Sequence, residues 1–150
     1  MNTISSEEFS YEKVDYIIEC DGGILKKENI AGIAWVIRDF TTKIPIAEGR
    51  AITGKQTTTI EAELLAMTTA IIELEKMDCK NVVIKTDYNG FIKHLNNQNN
   101  TCISKLKPIK QYLNKFDNWC IKNVDREDVN RPHKLASSID KEINYTPIIE

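Results

Sequence analysis

The stretch Tyr16-Ile17-Ile18-Glu19-Cys20-Asp21-Gly22-Gly23 decides how this chain is read. Apolar residues fall on both faces of an extended segment, so residues 14–20 are expected as a central strand. The run ends on Asp21, and Gly22 and Gly23 then permit a turn or a close approach of another backbone. A second apolar run, Val82-Val83-Ile84-Lys85-Thr86, also ends on an aspartate, Asp87. Between the two lies a helical pattern. Ile60, Leu64, Met67, Ile71 and Leu74 repeat at helical spacing, and any of Thr57, Thr58 and Thr59 is able to cap it. Strand, helix and strand in that order imply a crossover and a parallel pairing.

The rest of the chain fits around this unit. Residues 1–13 read as a frayed arm or a lead-in to the first strand. Residues 31–38 and 44–52 read as second and third strands joined in an antiparallel meander, with Pro45 marking an edge. Phe91, Ile92 and Leu95 mark a short helix, 96–101 an exposed loop, and Leu106, Ile109, Leu113 and Phe116 another helix. Residues 119–124 are expected as a fifth strand and 134–143 as a last helix.

Bulk composition narrows the function classes. A length of 150 residues with 41% hydrophobic content suits one packed domain, with a core over about 14–143. The net charge of -2 supplies no global field for a polyanion, so any such contact is local. No apolar run approaches the ~18 residues of a membrane span, and the polar, acidic N-terminus does not read as a signal peptide. Cys20, Cys79, Cys102 and Cys120 are widely spaced without a CxxC, as expected for free thiols in a reducing cytoplasm.

The two strand-end aspartates face one crevice if their strands are neighbours, because ligand sites collect at the carboxyl ends of parallel strands. Glu63 precedes Leu64 of the apolar stripe, at the buried edge of the helix near its N-terminal end, where it can lean over the sheet. Three such carboxylates repel one another unless a cation neutralises them. Hard oxygen ligands suit Mg²⁺ or Mn²⁺, and a pair of such ions roughly 3.5–4 Å apart is a phosphodiester-hydrolysing device. Taken singly, each residue has a blander reading as a turn residue, a helix-surface residue or a helix cap.

In combination the motifs resemble the ribonuclease H type 1 family, including its bacterial RNase H-like members. The family's Asp-Gly-(Gly/Ser) motif is matched by Asp21-Gly22-Gly23, and its Gly-rich second strand by Ala31-Gly32-Ile33-Ala34-Trp35. Ala-Glu-Leu after a threonine-rich lead-in is matched by Ala62-Glu63-Leu64, which selects Glu63 over Glu61. Thr-Asp-Ser is matched by Thr86-Asp87-Tyr88. The fourth motif of one branch, Arg-Glu-x-Asn-x-x-Ala-Asp-x-Leu-Ala, aligns without a gap on residues 126–136. The resemblance covers about residues 14–140. It implies an α/β, RNase H-like fold whose five-stranded mixed sheet, in the order 3-2-1-4-5, is flanked by helices.

The resemblance also implies an endoribonuclease that hydrolyses the RNA strand of RNA–DNA hybrids with two divalent ions, Mg²⁺ or Mn²⁺. Asp21, Glu63, Asp87 and His133 would be its catalytic and metal-binding residues. Gly22, Gly23 and Asn29 would approach the RNA strand, and Thr58 would hold a DNA phosphate, while Ile60 replaces the polar residue that larger members use near the bases. The departures are specific. His133 stands where the family has its fourth carboxylate, Val129 where it has asparagine, and Tyr88 where it has serine. Histidine suits Mn²⁺ better than Mg²⁺ and is able to shuttle a proton, or else it is only a first-turn helix residue. The alternative reading is a catalytically weakened or inactive module that binds nucleic acid or a partner. An actin-like ATPase lobe needs more phosphate-loop glycines than the six present. Lys105, Lys107, Lys110, Lys115 and Lys122, with Trp119 beside them, are either a phosphate-binding handle or a solvated face with the tryptophan in the core; the second is favoured. A monomer is expected.

Overall fold

A single mixed sheet of six strands organises the computed structural model, which describes residues 3–25, 30–52, 58–92 and 109–138. The strands are β1 (Thr3–Ser5), β2 (Tyr16–Leu25), β3 (Ile30–Asp39), β4 (Pro45–Ile52), β5 (Asn81–Thr86) and β6 (Asn118–Asn123). Their order is β1-β6-β5-β2-β3-β4. Without β1 this is the expected order, with β2–β4 the antiparallel meander and β2, β5 and β6 parallel neighbours.

The sixth strand corrects the reading of residues 1–13 as an arm or lead-in. Thr3, Ile4 and Ser5 pair antiparallel with Lys122, Ile121 and Cys120. Three residues carry no usable periodicity; they become a strand because the edge of β6 offers unpaired backbone groups. Ser6 extends the contact, its amide donating to the Trp119 carbonyl at 2.9 Å and its hydroxyl accepting from the Trp119 amide at 3.0 Å.

Alternation along β2 sends Ile18, Cys20 and Gly22 to one face and Ile17, Glu19 and Asp21 to the other. The first face carries the main core, where Ile18, Ile33, Ile37 and Ile84 meet Leu64, Met67, Ile71 and Leu74 of α1 (Thr59–Glu75). These four helix residues lie on the stripe read from the sequence, and Ile60 packs half-buried at its end. Phe91, Ile109, Leu113 and Phe116 close the same core, and Trp119 packs half-buried against it, in line with its packing reading. Leu95, Leu106 and the 96–101 loop lie outside the described residues.

Thr58 is the cap of α1. Its hydroxyl oxygen accepts from the Glu61 amide at 3.2 Å. Thr58→Ala is therefore expected to cost about 1 kcal/mol, measured as a lower urea midpoint with an unchanged slope. An unchanged midpoint would mean that the helix start is held by packing alone.

The last helix, expected at 134–143, instead starts at Asn130 and is described to Ser138. A single 3-10 turn, Arg126–Val129, leads into it. The helix lies on the β2–β3–β4 side, fixed by Arg131, whose Nε donates to Glu48 Oε2 on β4 at 3.0 Å. Among the described residues no helix is long and apolar enough to cross a membrane. Cys20, Cys79 and Cys120 are free and buried.

Candidate active site

Asp21 does not end its strand. β2 continues to Leu25, paired with β3 throughout, and neither Gly22 nor Gly23 makes a turn. What ends is the parallel pairing, at Cys20↔Thr86. Beyond that register β2 has no partner on its β5 side among the described residues, and a crevice opens between the strands. Asp87 follows Thr86 directly and so lies beside Asp21. Asn123 at the end of β6 steadies this loop, donating to the Tyr88 carbonyl at 2.8 Å, while the Val124 amide donates to the Thr86 carbonyl at 2.9 Å.

Glu63 reaches the same crevice from α1 because Gly22 lets the helix approach. A Cβ on Gly22 would lie 2.2 Å from the Ala62 carbonyl oxygen. The Gly22 amide donates to Glu63 Oε1 at 3.2 Å, and the Thr86 hydroxyl donates to Oε2 at 3.4 Å. Ligand oxygens of Asp21, Glu63 and Asp87 all lie within 4.8 Å of one another. Asp21 and Glu63 are 4% and 6% exposed.

Two cationic or titratable side chains flank the cluster. His133 Nδ1 lies 3.0 Å from Asp21 Oδ2. Arg126 Nε donates to Asp87 Oδ2 at 3.0 Å. The Arg126 and Thr86 contacts were not read from the sequence. Thr86 had a signal in its place immediately before the aspartate; the Arg126–Asp87 pair had none, since 39 residues separate its members.

The electrostatics follow from burial. Burial first, then the neighbouring charge of Asp21, pushes the Glu63 carboxyl up to about 9. Burial also raises Asp21, opposed by its hydrogen bond with His133. The Cys20 thiol is held well above its ordinary range, first by burial and then by the Glu63, Asp21 and Asp87 charges, so it is no nucleophile. Such a cluster is costly without a cation, and its all-oxygen donor set fits a hard divalent ion.

This gives a pH dependence with a definite sign. Glu63 titrates near 4.5 when unfolded and near 9 when folded without metal. Between those limits the folded state binds more protons, so stability falls as pH rises. The melting temperature in a chelator is expected to drop by roughly 5–10 °C from pH 5 to pH 9, and excess Mg²⁺ to reverse most of the loss by binding the folded state. A flat profile in the chelator would contradict the burial of this carboxyl.

The other residues singled out in the sequence are placed as follows. Gly22 is filled by the backbone of α1, whereas nothing lies within 4 Å of a Cβ built on Gly23. Thr58 is exposed at the start of α1, its hydroxyl 3.0 Å from Glu61 Oε1. Asn29, Lys105 and Lys107 lie outside the described residues. Lys115 pairs with Glu75 at 2.9 Å, and Lys122 sits 5.4 Å from the centre of the Tyr11 ring, so these two lysines are engaged within the protein.

A mixed sheet of this order with an acidic crevice where its parallel pairing ends defines a ribonuclease H-like α/β protein. Residues 19–139 match the reverse transcriptase-like family, and the chain belongs to that family. Solved structures agree on the fold. RNase H1 of the archaeon Halobacterium salinarum is 22% identical with a TM-score of 0.73, covering 85% of this chain and 98% of that one. The N-terminal RNase H domain of a Mycobacterium tuberculosis protein is 18% identical, with a TM-score of 0.74 and coverages of 85% and 94%. LC11-RNase H1, isolated from compost by a metagenomic approach and solved with an RNA/DNA hybrid, is 25% identical, with a TM-score of 0.72 and coverages of 84% and 97%. No curated protein sequence matches the chain.

Proposed function

We propose that the protein is an endoribonuclease that hydrolyses the RNA strand of RNA–DNA hybrids. The observation that carries this reading is the buried cluster of Asp21, Glu63 and Asp87, within 4.8 Å of one another in the crevice of an RNase H-like fold. Asp21, Glu63 and Asp87 would hold the cations, with His133 beside Asp21. Two divalent ions, Mg²⁺ or Mn²⁺, supply when bound the charge that activates a water and stabilises the leaving oxygen. The chain's own residues do the rest. Thr86 and the Gly22 amide orient Glu63, and Asn123 fixes the loop that carries Asp87. His133, partly solvent-exposed and 3.0 Å from Asp21, would carry a proton to the leaving oxygen.

The hybrid as substrate is supported by the likeness to LC11-RNase H1, which was solved with an RNA/DNA hybrid. Hybrids are read by shape and by the 2′-hydroxyl. Nothing lies within 4 Å of a Cβ built on Gly23, which leaves room for that strand, and Thr58, exposed at the start of α1, is the residue to which the family resemblance assigns a phosphate of the DNA strand.

A second reading, a module that binds without cutting, is favoured by one observation. Arg126 and His133 each place a nitrogen 3.0 Å from a carboxylate oxygen of the cluster, where a cation would compete with them. Incubation of labelled RNA–DNA hybrid, duplex DNA and duplex RNA with the protein in Mg²⁺ and in Mn²⁺ separates the readings. Cutting confined to the hybrid's RNA strand is expected. Binding of the hybrid without cutting, by folded protein in both metals, would select the second reading.

A further inference from the structure

We propose that a cavity beside the acidic crevice is a binding site for a small amino-carboxylate, held with its carboxylate against the sheet and its ammonium at the mouth. The cavity has a volume of about 490 Å³, within the range of small-molecule sites. This site needs neither metal nor cleavage, and it stands whether or not the protein cuts hybrids.

Two layers of the fold enclose it. The floor is the sheet face that carries Ile17 and Glu19. Lys85 of β5 is the register partner of Glu19, and Arg38 of β3 is the register partner of Ile17, so all four side chains share that face. The roof is the 3-10 turn and the start of the last helix, which bring Glu127, Asp128 and Arg131. Glu19 stands two residues before Asp21, which puts the cavity about 7 Å from the crevice along β2.

Charge is sorted by depth. On the floor, Glu19 is 8% exposed and is neutralised by Arg38, whose Nε donates to Glu19 Oε2 at 3.0 Å. Arg38 Nη1 donates to the Lys43 carbonyl at 3.0 Å, which leaves further guanidinium N–H groups for a ligand. Lys85 is half-buried, and among the described residues nothing pairs with its ammonium. A half-buried charge without a counter-ion is costly, and a carboxylate between Lys85 and Arg38 satisfies both. At the mouth the sign reverses. Glu127 and Asp128 are exposed, and among the described residues neither carboxylate has a cation paired with it. The other two cations of the wall are already engaged: Arg131 with Glu48, and Lys43 with the Phe40 ring, 4.1 Å from its centre.

This arrangement selects the ligand. A dicarboxylate or a nucleic-acid strand brings its next negative charge against Glu127 and Asp128. A diamine brings its inner positive charge against Lys85 and Arg38. A molecule with one charge of each sign is matched at both ends and rejected at neither. Ile17 gives its aliphatic stem an apolar contact.

The test is binding to the metal-free full chain, followed by calorimetry and by backbone amide shifts. The probes are 5-aminopentanoate, pentanoate, pentylamine, glutarate and 1,5-diaminopentane. Amide shifts are expected around Glu19, Arg38, Lys85 and Asp128, with 5-aminopentanoate binding roughly tenfold or more tighter than each of the other four. Lys85→Met should lower it to the level of pentylamine. Glu127→Gln combined with Asp128→Asn should lower it to the level of pentanoate. Excess Mg²⁺ should leave its affinity unchanged, because the cavity lies apart from the acidic cluster.

Wild type alone is enough to overturn the proposal, so no variant has to fold for it to fail. Equal affinity for all five probes would mean nonspecific ion binding. Tighter binding of glutarate or of the diamine would mean the wrong charge assignment. Displacement by Mg²⁺ would move the ligand to the crevice. No amide shifts with any probe at roughly 10 mM would mean no site.

Discussion

Asp21→Asn is expected to lower hybrid cleavage about a thousandfold or more while leaving the metal-free protein more stable than wild type. Asp21 lies within 4.8 Å of ligand oxygens of Glu63 and Asp87 and 3.0 Å from His133 Nδ1. An amide keeps its size and hydrogen-bonding shape but removes one of the charges that draw divalent cations. Loss of several kcal/mol of transition-state charge stabilisation corresponds to a thousandfold or more in rate. The stability effect has the opposite sign. In wild type the Asp21 charge is the second cause, after burial, that pushes Glu63 up to about 9. Removing that charge relieves repulsion between buried groups, which should stabilise the metal-free protein by roughly 1–2 kcal/mol at pH 8. The pair of measurements is rate in excess metal and melting temperature in a chelator. Cleavage that survives in Asp21→Asn would remove this carboxylate from the chemistry.

Gly22→Ala is expected to damage both fold and activity although it adds one methyl group. That Cβ would sit 2.2 Å from the Ala62 carbonyl oxygen and 3.0 Å from the Glu63 amide nitrogen, both backbone atoms of α1. Neither is a side chain able to rotate away, so the helix has to shift. Overpacking of this kind costs about 3 kcal/mol, or roughly 6–12 °C in melting temperature for a chain of this size. The shift moves Glu63 away from Asp21 and breaks its hydrogen bond with the Gly22 amide. A displacement of about 1 Å at a catalytic group costs on the order of a hundredfold in rate. Gly23→Ala is the control, since nothing lies near its Cβ position. Equal effects at the two glycines would mean that helix approach is not what Gly22 provides.

The two substitutions act on different links of the same chain of causes. Asp21→Asn changes charge at fixed geometry, and Gly22→Ala changes geometry at fixed charge.

Much of the architecture was legible because its signals are local. The apolar runs ending at Cys20 and Thr86 and the stripe Leu64, Met67, Ile71 and Leu74 specify two parallel strands and their crossover helix. The three carboxylates were legible for the same reason, each standing at a fixed offset from one of those elements. The first strand was not legible: Thr3–Ser5 is too short for a period and forms only on the edge of β6. Nor was the length of β2, since Asp21-Gly22-Gly23 allows a turn as well as a close backbone approach until β3 is seen to pair through it.

The sequence by itself thus pointed, through its motifs and their resemblance to a family, to the sheet order of the five main strands and to the three carboxylates. Tertiary structure decided how these residues meet. It is the parallel register ending at Cys20↔Thr86 that opens the crevice. The bare face of Gly22 admits α1, which brings Glu63 to Asp21. The helix starting at Asn130 rather than 134, anchored by Arg131 to Glu48, puts His133 3.0 Å from Asp21. Arg126 finds Asp87 across 39 residues of chain. The physical reason is that strand and helix periods are local, whereas distances between elements, burial and the resulting charge coupling are properties of packing.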